Sequence, residues 1–310
     1  MTPTLYRPTI WRPEIGLPPS LRPVQHPHDL KQLILPGERG FAEAFEFSRI
    51  GTPGAMTGGL QSLNGAETRL FGANGPAVPS VAGYTFWFNS QQGLFQDTGG
   101  TTPAVSDGDV VKLWKDQSAN ANDISESMNP PVLKLNILNG LPSIRFDGVN
   151  DQLAATFTFS QPWTIFSVFK VLTAAGGKII LGGTLAGVPT RPWQYTQSNN
   201  TTLRMITNVS SSTDLTGCDY TSNYGACCWQ GRASPANVNG YWHSPGANVS
   251  NTTGGGAVDD FGGLNLGGGS DGFNQQCNCD ICEVIGYPSL LSSGDISTEM
   301  TQLGARYGLF

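Results

Sequence analysis

The sequence has little charge and no long apolar run. Asp, Glu, Lys and Arg make up 13% of its 310 residues, against about 25% in an average globular protein. The net charge of −6 and the isoelectric point near 5.0 disfavour a basic nucleic-acid-binding domain. No stretch approaches the roughly 18 apolar residues that a membrane-spanning helix needs, so no membrane partner is predicted.

Motifs of hydrolytic and metal-dependent catalysis are also missing. The three histidines match no metal-binding or catalytic-triad pattern. A glycoside hydrolase of the sandwich type needs two carboxylates on neighbouring strand positions, and no Glu-x-Asp-x-Glu motif occurs. Glu283 is the one glutamate in a firmly predicted strand, and we interpret it as structural or as part of a rim. We therefore predict a non-enzymatic protein without catalytic residues.

Proline is concentrated at the start of the chain, where residues 1–37 hold eight of the 21 prolines. Proline removes a backbone donor and fixes φ, so this segment is expected to be extended. Because it also carries apolar and arginine side chains, we predict an arm that docks on another protein; the alternative is a free tail. The expected docking residues are Tyr6, Arg7, Trp11, Arg12 and Arg22. The prolines also leave no apolar core for a signal peptide.

Residues 38–83 are a Gly-rich transition segment, and from residue 84 the pattern is that of an all-β protein. Short apolar runs alternate with turn clusters, and the C-terminal stretch 292–308 has the caps and the apolar stripe of a helix. The predicted strands are Tyr84–Phe88, Val110–Trp114, Val132–Ile137, Ser143–Phe146, Trp163–Val171, Lys178–Leu181, Thr202–Ile206, Ala226–Gln230, Val238–Trp242, Gly263–Leu266 and Ile281–Tyr287. This pattern predicts a two-sheet sandwich over 84–310.

Four sequence blocks resemble a known family in its own order. They are LFQDTGGTTPAVSDGDVVKLWKDQSANANDI from Leu94, LNGLPSIRFDGVNDQL from Leu138, WTIFSVFKV from Trp163, and CEVIGYPSLLSSGDISTEMTQLGARYGLF from Cys282. Together they resemble the concanavalin A-like, laminin-G-like jelly-roll domains of phage and bacterial surface proteins. The resemblance implies a jelly-roll sandwich with carbohydrate-binding or structural roles more often than catalysis. The cysteine cluster and the long proline-rich arm depart from the family pattern.

Three function hypotheses follow from the arm and the resemblance. The first is a phage virion protein, a capsid decoration or tail-associated component, held on the virion surface by its arm through contacts with other virion proteins and forming a homo-oligomer. The second is a carbohydrate-binding adhesin that recognises a host polysaccharide. The third, a glycoside hydrolase, is disfavoured by the missing carboxylate pair. We expect the protein on the virion surface, assembled in the host cytoplasm without a signal peptide.

Two clusters could bind metal or form cross-links. Oxygen-bearing side chains alternate at Asp116, Ser118, Asn120, Asn122 and Asp123, as Ca²⁺ prefers; the alternative is a turn in which these side chains satisfy backbone donors. Six cysteines suggest disulfides that pin two late loops together, with free thiols or a zinc site as alternatives. They are Cys218, Cys227, Cys228, Cys277, Cys279 and Cys282. We expect no cofactor other than this possible Ca²⁺.

Aromatic side chains are frequent in a late region that is nearly free of charge. An exposed Trp or Tyr could stack on a sugar ring, whereas a buried one would belong to the core. The candidates for sugar binding are Trp193, Tyr195, Trp229, Tyr241 and Trp242.

Overall fold

The computed structural model of the protein describes residues 78–173, 175–184, 192–208, 211–233, 236–254, 258–268 and 275–310. In these ranges the chain forms 17 strands followed by helix α1 (Ser293–Tyr307). The strands are, in chain order, β1 (Phe86–Asn89), β2 (Leu94–Phe95), β3 (Leu113–Trp114), β4 (Ile124–Ser125), β5 (Val132–Leu138), β6 (Leu141–Asp147), β7 (Leu153–Ala155), β8 (Trp163–Val171), β9 (Ile179–Gly182), β10 (Trp193–Thr196), β11 (Thr202–Asn208), β12 (Ser211–Thr216), β13 (Gly225–Ala233), β14 (Ala236–His243), β15 (Asn248–Gly254), β16 (Leu264–Leu266) and β17 (Asn278–Tyr287).

The strands form two antiparallel sheets. The eight-stranded sheet has the order β15-β14-β13-β8-β17-β6-β5, with β1 paired to β17, and the nine-stranded sheet has the order β12-β11-β10-β9-β16-β7-β4-β3-β2. The main core lies between them and includes an aromatic cluster in which Trp163 contacts Trp229 and Phe261 at centroid distances of 4.7 and 5.0 Å. The predicted all-β, two-sheet sandwich with a C-terminal helix is confirmed.

The central strand β8 is covered on both faces, as its apolar pattern predicts. Trp163 and Ile165 point into the core between the sheets, whereas Phe166 and Val168 point outward, to the side of the sheet that helix α1 covers. Successive residues of a strand point to opposite faces. A strand that is apolar on both faces therefore lies in the middle of a three-layer stack.

Helix α1 begins and ends at the predicted residues. The Ser292 side chain accepts a hydrogen bond from the backbone N–H of Asp295, and Gly308 closes the helix in the left-handed conformation with φ of 61°. The apolar stripe of Ile296, Met300 and Leu303 is buried against the eight-stranded sheet. No helix in the described ranges is long and apolar enough to cross a membrane.

Several strands have no counterpart in the sequence prediction, among them β10, β12 and β15. The strands β12 (SSTDLT) and β15 (NVSNTTG) are edge strands with polar, turn-like sequences. Because edge strands bury little on their outer side, they need no apolar run. The predicted arm, 1–37, and most of the predicted transition segment lie outside the described residues, and so do the docking residues Tyr6, Arg7, Trp11, Arg12 and Arg22.

Candidate functional site

Two of the five candidate sugar-binding aromatics are core residues. Trp229 is 1% exposed and Trp242 is 0% exposed, and both pack between the sheets. The Trp242 ring lies 5.2 Å from that of Phe169, and its Nε1 donates to Asp219 Oδ1 at 2.9 Å. The prediction that these two rings could stack on a sugar is therefore wrong, because neither has a face open to solvent. Tyr241 points to the opposite side of the same sheet and packs, half-buried, at the edge of the helix-side cluster.

Trp193 and Tyr195 project from the outer face of the nine-stranded sheet. Their neighbours Gln194 and Thr196 are buried, and Gln194 reaches across the core to Ser167 and Cys227. Strand alternation therefore turns both aromatic rings outward, where they are half-buried. Trp193 and Tyr195 lie side by side on one strand, about two residue rises or 7 Å apart.

Residues directly opposite one another in neighbouring antiparallel strands share a face. Trp193 is opposite Ile206 on one side and Gly182 on the other, and Gly182 is also opposite Asn265. Trp193, Gly182 and Asn265 therefore form one row across β10, β9 and β16, and a second row contains Tyr195, Arg204 and Asp214. We call these two rows, with Ile206, the Trp193 face.

The indole of Trp193 lies across Gly182. A Cβ atom added to Gly182 would meet Trp193 Cδ1 at 2.6 Å and Nε1 at 3.4 Å, so the pyrrole edge of the ring occupies the space above this glycine. Glycine at this position lets the indole approach the backbone of β9 closely. Asn265 stands on the next strand and is 1% exposed. Neither its amide nor Trp193 Nε1 has a hydrogen-bond partner among the described residues.

The second row of the Trp193 face is electrically balanced. Arg204 Nε and Nη2 donate to the two carboxylate oxygens of Asp214 at 2.6 and 2.7 Å, and these hydrogen bonds raise the pKa of Arg204. The Gln197 amide is oriented so that its oxygen accepts from Tyr195 Oη and from Arg204 Nε. The opposite orientation would place the amide N–H groups against the guanidinium. The charges of this row are therefore already paired within the protein.

Trp193 and Tyr195 are recognisable as candidates in the sequence, whereas Gly182 and Asn265 are not. The signal for Asn265 was its place between two leucines in the run LNL, where a polar residue interrupts an apolar strand. Alternation puts it on the outer face, but only the pairing of β16 with β9 brings it beside Gly182. Sequence alone does not give that pairing, since β16 and β9 are separated by the whole of β10 to β15.

The predicted calcium residues form a hydrogen-bonded turn. Asp116 Oδ1 accepts from the backbone N–H groups of Trp87 and Ser118 at 2.8 Å each, and Oδ2 accepts from the Ser118 hydroxyl at 2.6 Å and from Asn122 N–H at 2.9 Å. Asp123 Oδ1 accepts from the backbone of Asp116. Both oxygens of the central carboxylate thus hold the loop itself, which matches the turn interpretation.

The remaining side chains of this loop converge on one carbonyl. Asn120 Nδ2 and Asn122 Nδ2 both donate to the carbonyl oxygen of Thr85, at 2.9 and 3.1 Å, and Ser118 Oγ lies 3.0 Å from the same oxygen. An amide that donates its N–H groups inward presents a hydrogen, not an oxygen, to a cation in that direction. The described residues also contain no group of three or more His, Cys, Asp or Glu side chains placed to hold a metal ion. A calcium site here stays a prediction without geometric support.

All six cysteines are free and buried, so the predicted disulfides are wrong. Cys227 and Cys228 are neighbours on β13 and therefore point to opposite faces, one to the core between the sheets and the other to the helix side. Cys282 also lies on the helix side, whereas Cys218, Cys277 and Cys279 lie in the main core. Burial raises the pKa of the Cys218 thiol to about 12, so these residues act as small apolar side chains.

The Glu283 carboxylate is buried beneath helix α1. It accepts from Trp87 Nε1 at 2.6 Å and from Arg306 Nη1 at 2.5 and 2.6 Å. Glu283 is 1% exposed and the Arg306 side chain 7% exposed. This is a structural ion pair between strand and helix, in line with the structural interpretation of Glu283.

Comparison with known proteins gives the fold. No protein-family model matches the sequence, and no curated protein matches it. Among solved structures, a mutant GH54 α-L-arabinofuranosidase matches with a TM-score of 0.50 and 12% identity, over 65% of this chain and 52% of the arabinofuranosidase. At this identity the match shows a shared β-sandwich fold and does not carry an activity across.

Other solved structures resemble the chain less closely. A Trypanosoma rangeli sialidase in complex with sialic acid matches with a TM-score of 0.49 and 16% identity, over 76% of this chain and 35% of the sialidase. The CBM40 of the Ruminococcus gnavus IT-sialidase, bound to α2,3-sialyllactose, gives a TM-score of 0.37 and 12% identity, over 46% of this chain and 83% of the CBM40. The chain spans about a third of the length of the Trypanosoma sialidases that it matches.

Proposed function

We propose that this protein is a non-catalytic β-sandwich that binds a glycan on the Trp193 face. The observation that carries the proposal is the pair of half-buried rings, Trp193 and Tyr195, which project side by side from one strand of an otherwise packed sheet. Aromatic rings with a polar edge combine apolar contact with a hydrogen-bonding group. Sugar rings offer apolar C–H faces and hydroxyl edges that complement such a surface.

The carboxylates near this face support binding without cleavage. Both carboxylate oxygens of Asp214 accept hydrogen bonds from Arg204. Glu283 belongs to the other sheet and is buried beneath the helix. Glycoside hydrolysis needs two carboxyl groups on either side of the scissile bond, and neither of these acids is placed for that role.

The test is binding of the purified full-length chain to a polysaccharide panel. The panel contains neutral members (mannan, galactan, dextran, arabinoxylan) and acidic members (alginate, pectate, polysialic acid). We expect saturable binding to at least one member, and a loss of at least tenfold in affinity for Trp193→Ala and for Tyr195→Ala. Met128→Ala is the control, because Met128 is 82% exposed and lies outside the Trp193 face.

Three results would overturn the proposal. One is no binding to any member of the panel by the wild-type chain. The second is release of reducing sugar from a bound polysaccharide, which would make the protein an enzyme. The third is binding that survives both aromatic substitutions, which would move the glycan site away from the Trp193 face.

A second function, attachment to a phage virion, is favoured by the N-terminal sequence. Residues 1–37 combine eight prolines with repeated Arg-Pro pairs and apolar side chains, a composition suited to an extended arm on a protein surface. In this role the arm fixes a homo-oligomeric protein to a capsid or tail, where the sandwich displays its glycan site. The two functions are compatible in one chain.

Deletion of residues 1–37 separates the two functions. We expect the shortened chain to bind polysaccharide as the full chain does and to be absent from purified particles. Incorporation of the shortened chain into particles at the wild-type level would contradict the docking role.

A further inference from the structure

Three buried polar atoms of the Trp193 face have no hydrogen-bond partner among the described residues. They are Trp193 Nε1, Asn265 Nδ2 and Asn265 Oδ1. Buried polar groups in native proteins are nearly always paired, because an unpaired one loses its hydration without a replacement. An amide that is 1% exposed and wholly unpaired therefore lowers the stability of the sandwich. A leucine in the same place would carry no such cost.

These atoms belong to two residues of the same row. Gly182 lies on β9, between Trp193 on β10 and Asn265 on β16. Neighbouring strands are about 5 Å apart. The pyrrole edge of the indole, which carries Nε1, lies above Gly182 and therefore on the side of the ring that faces Asn265. The indole offers one hydrogen-bond donor, and the amide of Asn265 offers two donors and one acceptor. Between them lies Gly182, which has no side chain.

We propose that Asn265 and Gly182 form a concealed subsite for a neutral sugar residue with two adjacent hydroxyl groups, and that the Trp193 indole covers this subsite until ligand binds. This inference rests on the proposed glycan-binding function. Each sugar hydroxyl both donates and accepts, so a vicinal pair matches the amide of Asn265, which also does both. The glycine leaves room for the sugar ring to approach the backbone.

The charge of the face selects a neutral ligand. The guanidinium of Arg204 is held by Asp214 and Gln197, and Asn265 is neutral. An acidic sugar would bring a carboxylate to a face whose cation is already paired, and would lose hydration without a matching charge. A neutral sugar exchanges its water hydrogen bonds for those of the amide and the indole.

Asn265 is 1% exposed, so in this proposal the indole must move away from Gly182 before a ligand can bind. The ligand reaches the amide when the Trp193 ring swings off Gly182, and the freed ring can then stack on the sugar. This step predicts a ligand-dependent change in tryptophan fluorescence that Trp193→Phe removes. A sugar that only stacked on the outer side of a fixed ring would need neither the movement nor the amide.

The decisive variant is Asn265→Leu, measured for melting temperature and for binding to the neutral and acidic polysaccharides named above. We expect a higher melting temperature than that of the wild type, together with at least tenfold weaker binding to the neutral member that the wild type binds. Asn239→Leu is the matched control, because Asn239 lies in the other sheet and its amide is bonded to Gln230. That variant should melt lower and bind normally.

A second variant, Gly182→Ala, tests the cover directly. Its added Cβ would meet the indole at 2.6 Å, so the ring should be displaced and become more accessible to acrylamide quenching without ligand. If the wild type binds a neutral glycan and Asn265→Leu binds it equally well, the subsite is disproved while the glycan-binding function stands. Binding of acidic polysaccharides alone disproves the neutral ligand class. No binding by the wild type disproves both proposals.

Discussion

At the scale of single residues, two aspartates have pKa values displaced in opposite directions. Burial, reinforced by the nearby charge of Asp147, raises the pKa of Asp151 from 3.8 to about 6, although the Asp147 N–H bonds to it at 2.9 Å. Hydrogen bonds from the backbone of Thr101 and Thr102 lower the pKa of Asp97 to about 2. The fold therefore opposes ionisation of Asp151 and favours ionisation of Asp97.

Asp151→Asn should stabilise the protein at neutral pH. Because the folded-state pKa is the higher one, the contribution of the protonated acid is complete below about pH 4 and is lost as the pH rises through about 6. The asparagine keeps an acceptor for the Asp147 N–H and cannot ionise. We expect a gain of about 1–2 kcal/mol at pH 7 and little change at pH 4, measured by urea unfolding at both pH values.

Asp97→Asn is the matched comparison and should behave in the opposite way. It removes an ionised acceptor whose low pKa stabilises the fold above about pH 4. The variant should therefore lose stability at pH 7 and approach the wild type near pH 2. A gain that is the same at both pH values for Asp151→Asn would show that ionisation plays no part there.

Sequence could identify aromatic candidates but could not decide which of them are buried. Trp193 and Trp229 are both in strands, and a shift of one residue exchanges the inner and outer faces of a strand. For Trp229 the neighbouring apolar residues gave no alternation, because β13 is buried on both sides. For Trp193 the deciding contacts come from β9 and β11, which sequence does not pair.

At the scale of elements, the attachment of helix α1 to the sheet contains one buried ion pair, Glu283 with Arg306. Both side chains are nearly inaccessible, so removal of one partner leaves a buried charge without compensation. Glu283→Gln should lower the free energy of unfolding by about 3–5 kcal/mol, as measured by urea unfolding. Far-ultraviolet circular dichroism should show early loss of the helix signal.

Asp107→Asn provides the comparison for an exposed pair. Asp107 bonds Lys134 at 2.5 Å, but the two side chains are 51% and 24% exposed, and solvent screens such pairs. We expect little change in stability. Equal losses for Glu283→Gln and Asp107→Asn would contradict the importance of burial at the helix–sheet contact.

The elements that the sequence predicts best are those that bury one or both of their faces in an apolar core. Strand β8 and helix α1 fall at their predicted places because each buries a face that needs a defined spacing of apolar residues. Strands β12 and β15 were missed because their form depends on pairing with β11 and β14, not on their own side chains. Polar edge strands of this kind look like loops in a sequence.

At the scale of the whole molecule, the reactivity of the six cysteine thiols reports on the packing of both cores. All are buried and free, and burial raises the pKa of the Cys227 and Cys228 thiols well above the usual value. In the native protein we expect almost no reaction with Ellman's reagent over minutes, and six thiols per chain in guanidinium without reductant. Fewer than six thiols in the denatured chain would show disulfides and contradict the packing described above.

The composition alone could not separate thiols from disulfides. An even number of clustered cysteines suits either, and the deciding fact is where each one lies in the folded sandwich. Cys227 and Cys228 are adjacent in sequence but lie on opposite sides of β13. That separation depends on the sandwich as a whole, which places one core on each side of the eight-stranded sheet.

The position of β17 sets the order in which a growing chain can fold. This last strand lies between β8 and β6 and also pairs with β1, so its partners are made long before it; Phe86 and Gly286 are about 200 positions apart. Until β17 has been synthesised, the edge of β8 with which β17 will pair has no native neighbour. The nascent sandwich therefore passes through a period with an open, apolar sheet edge, the form most easily captured by chaperones or by other unfinished chains.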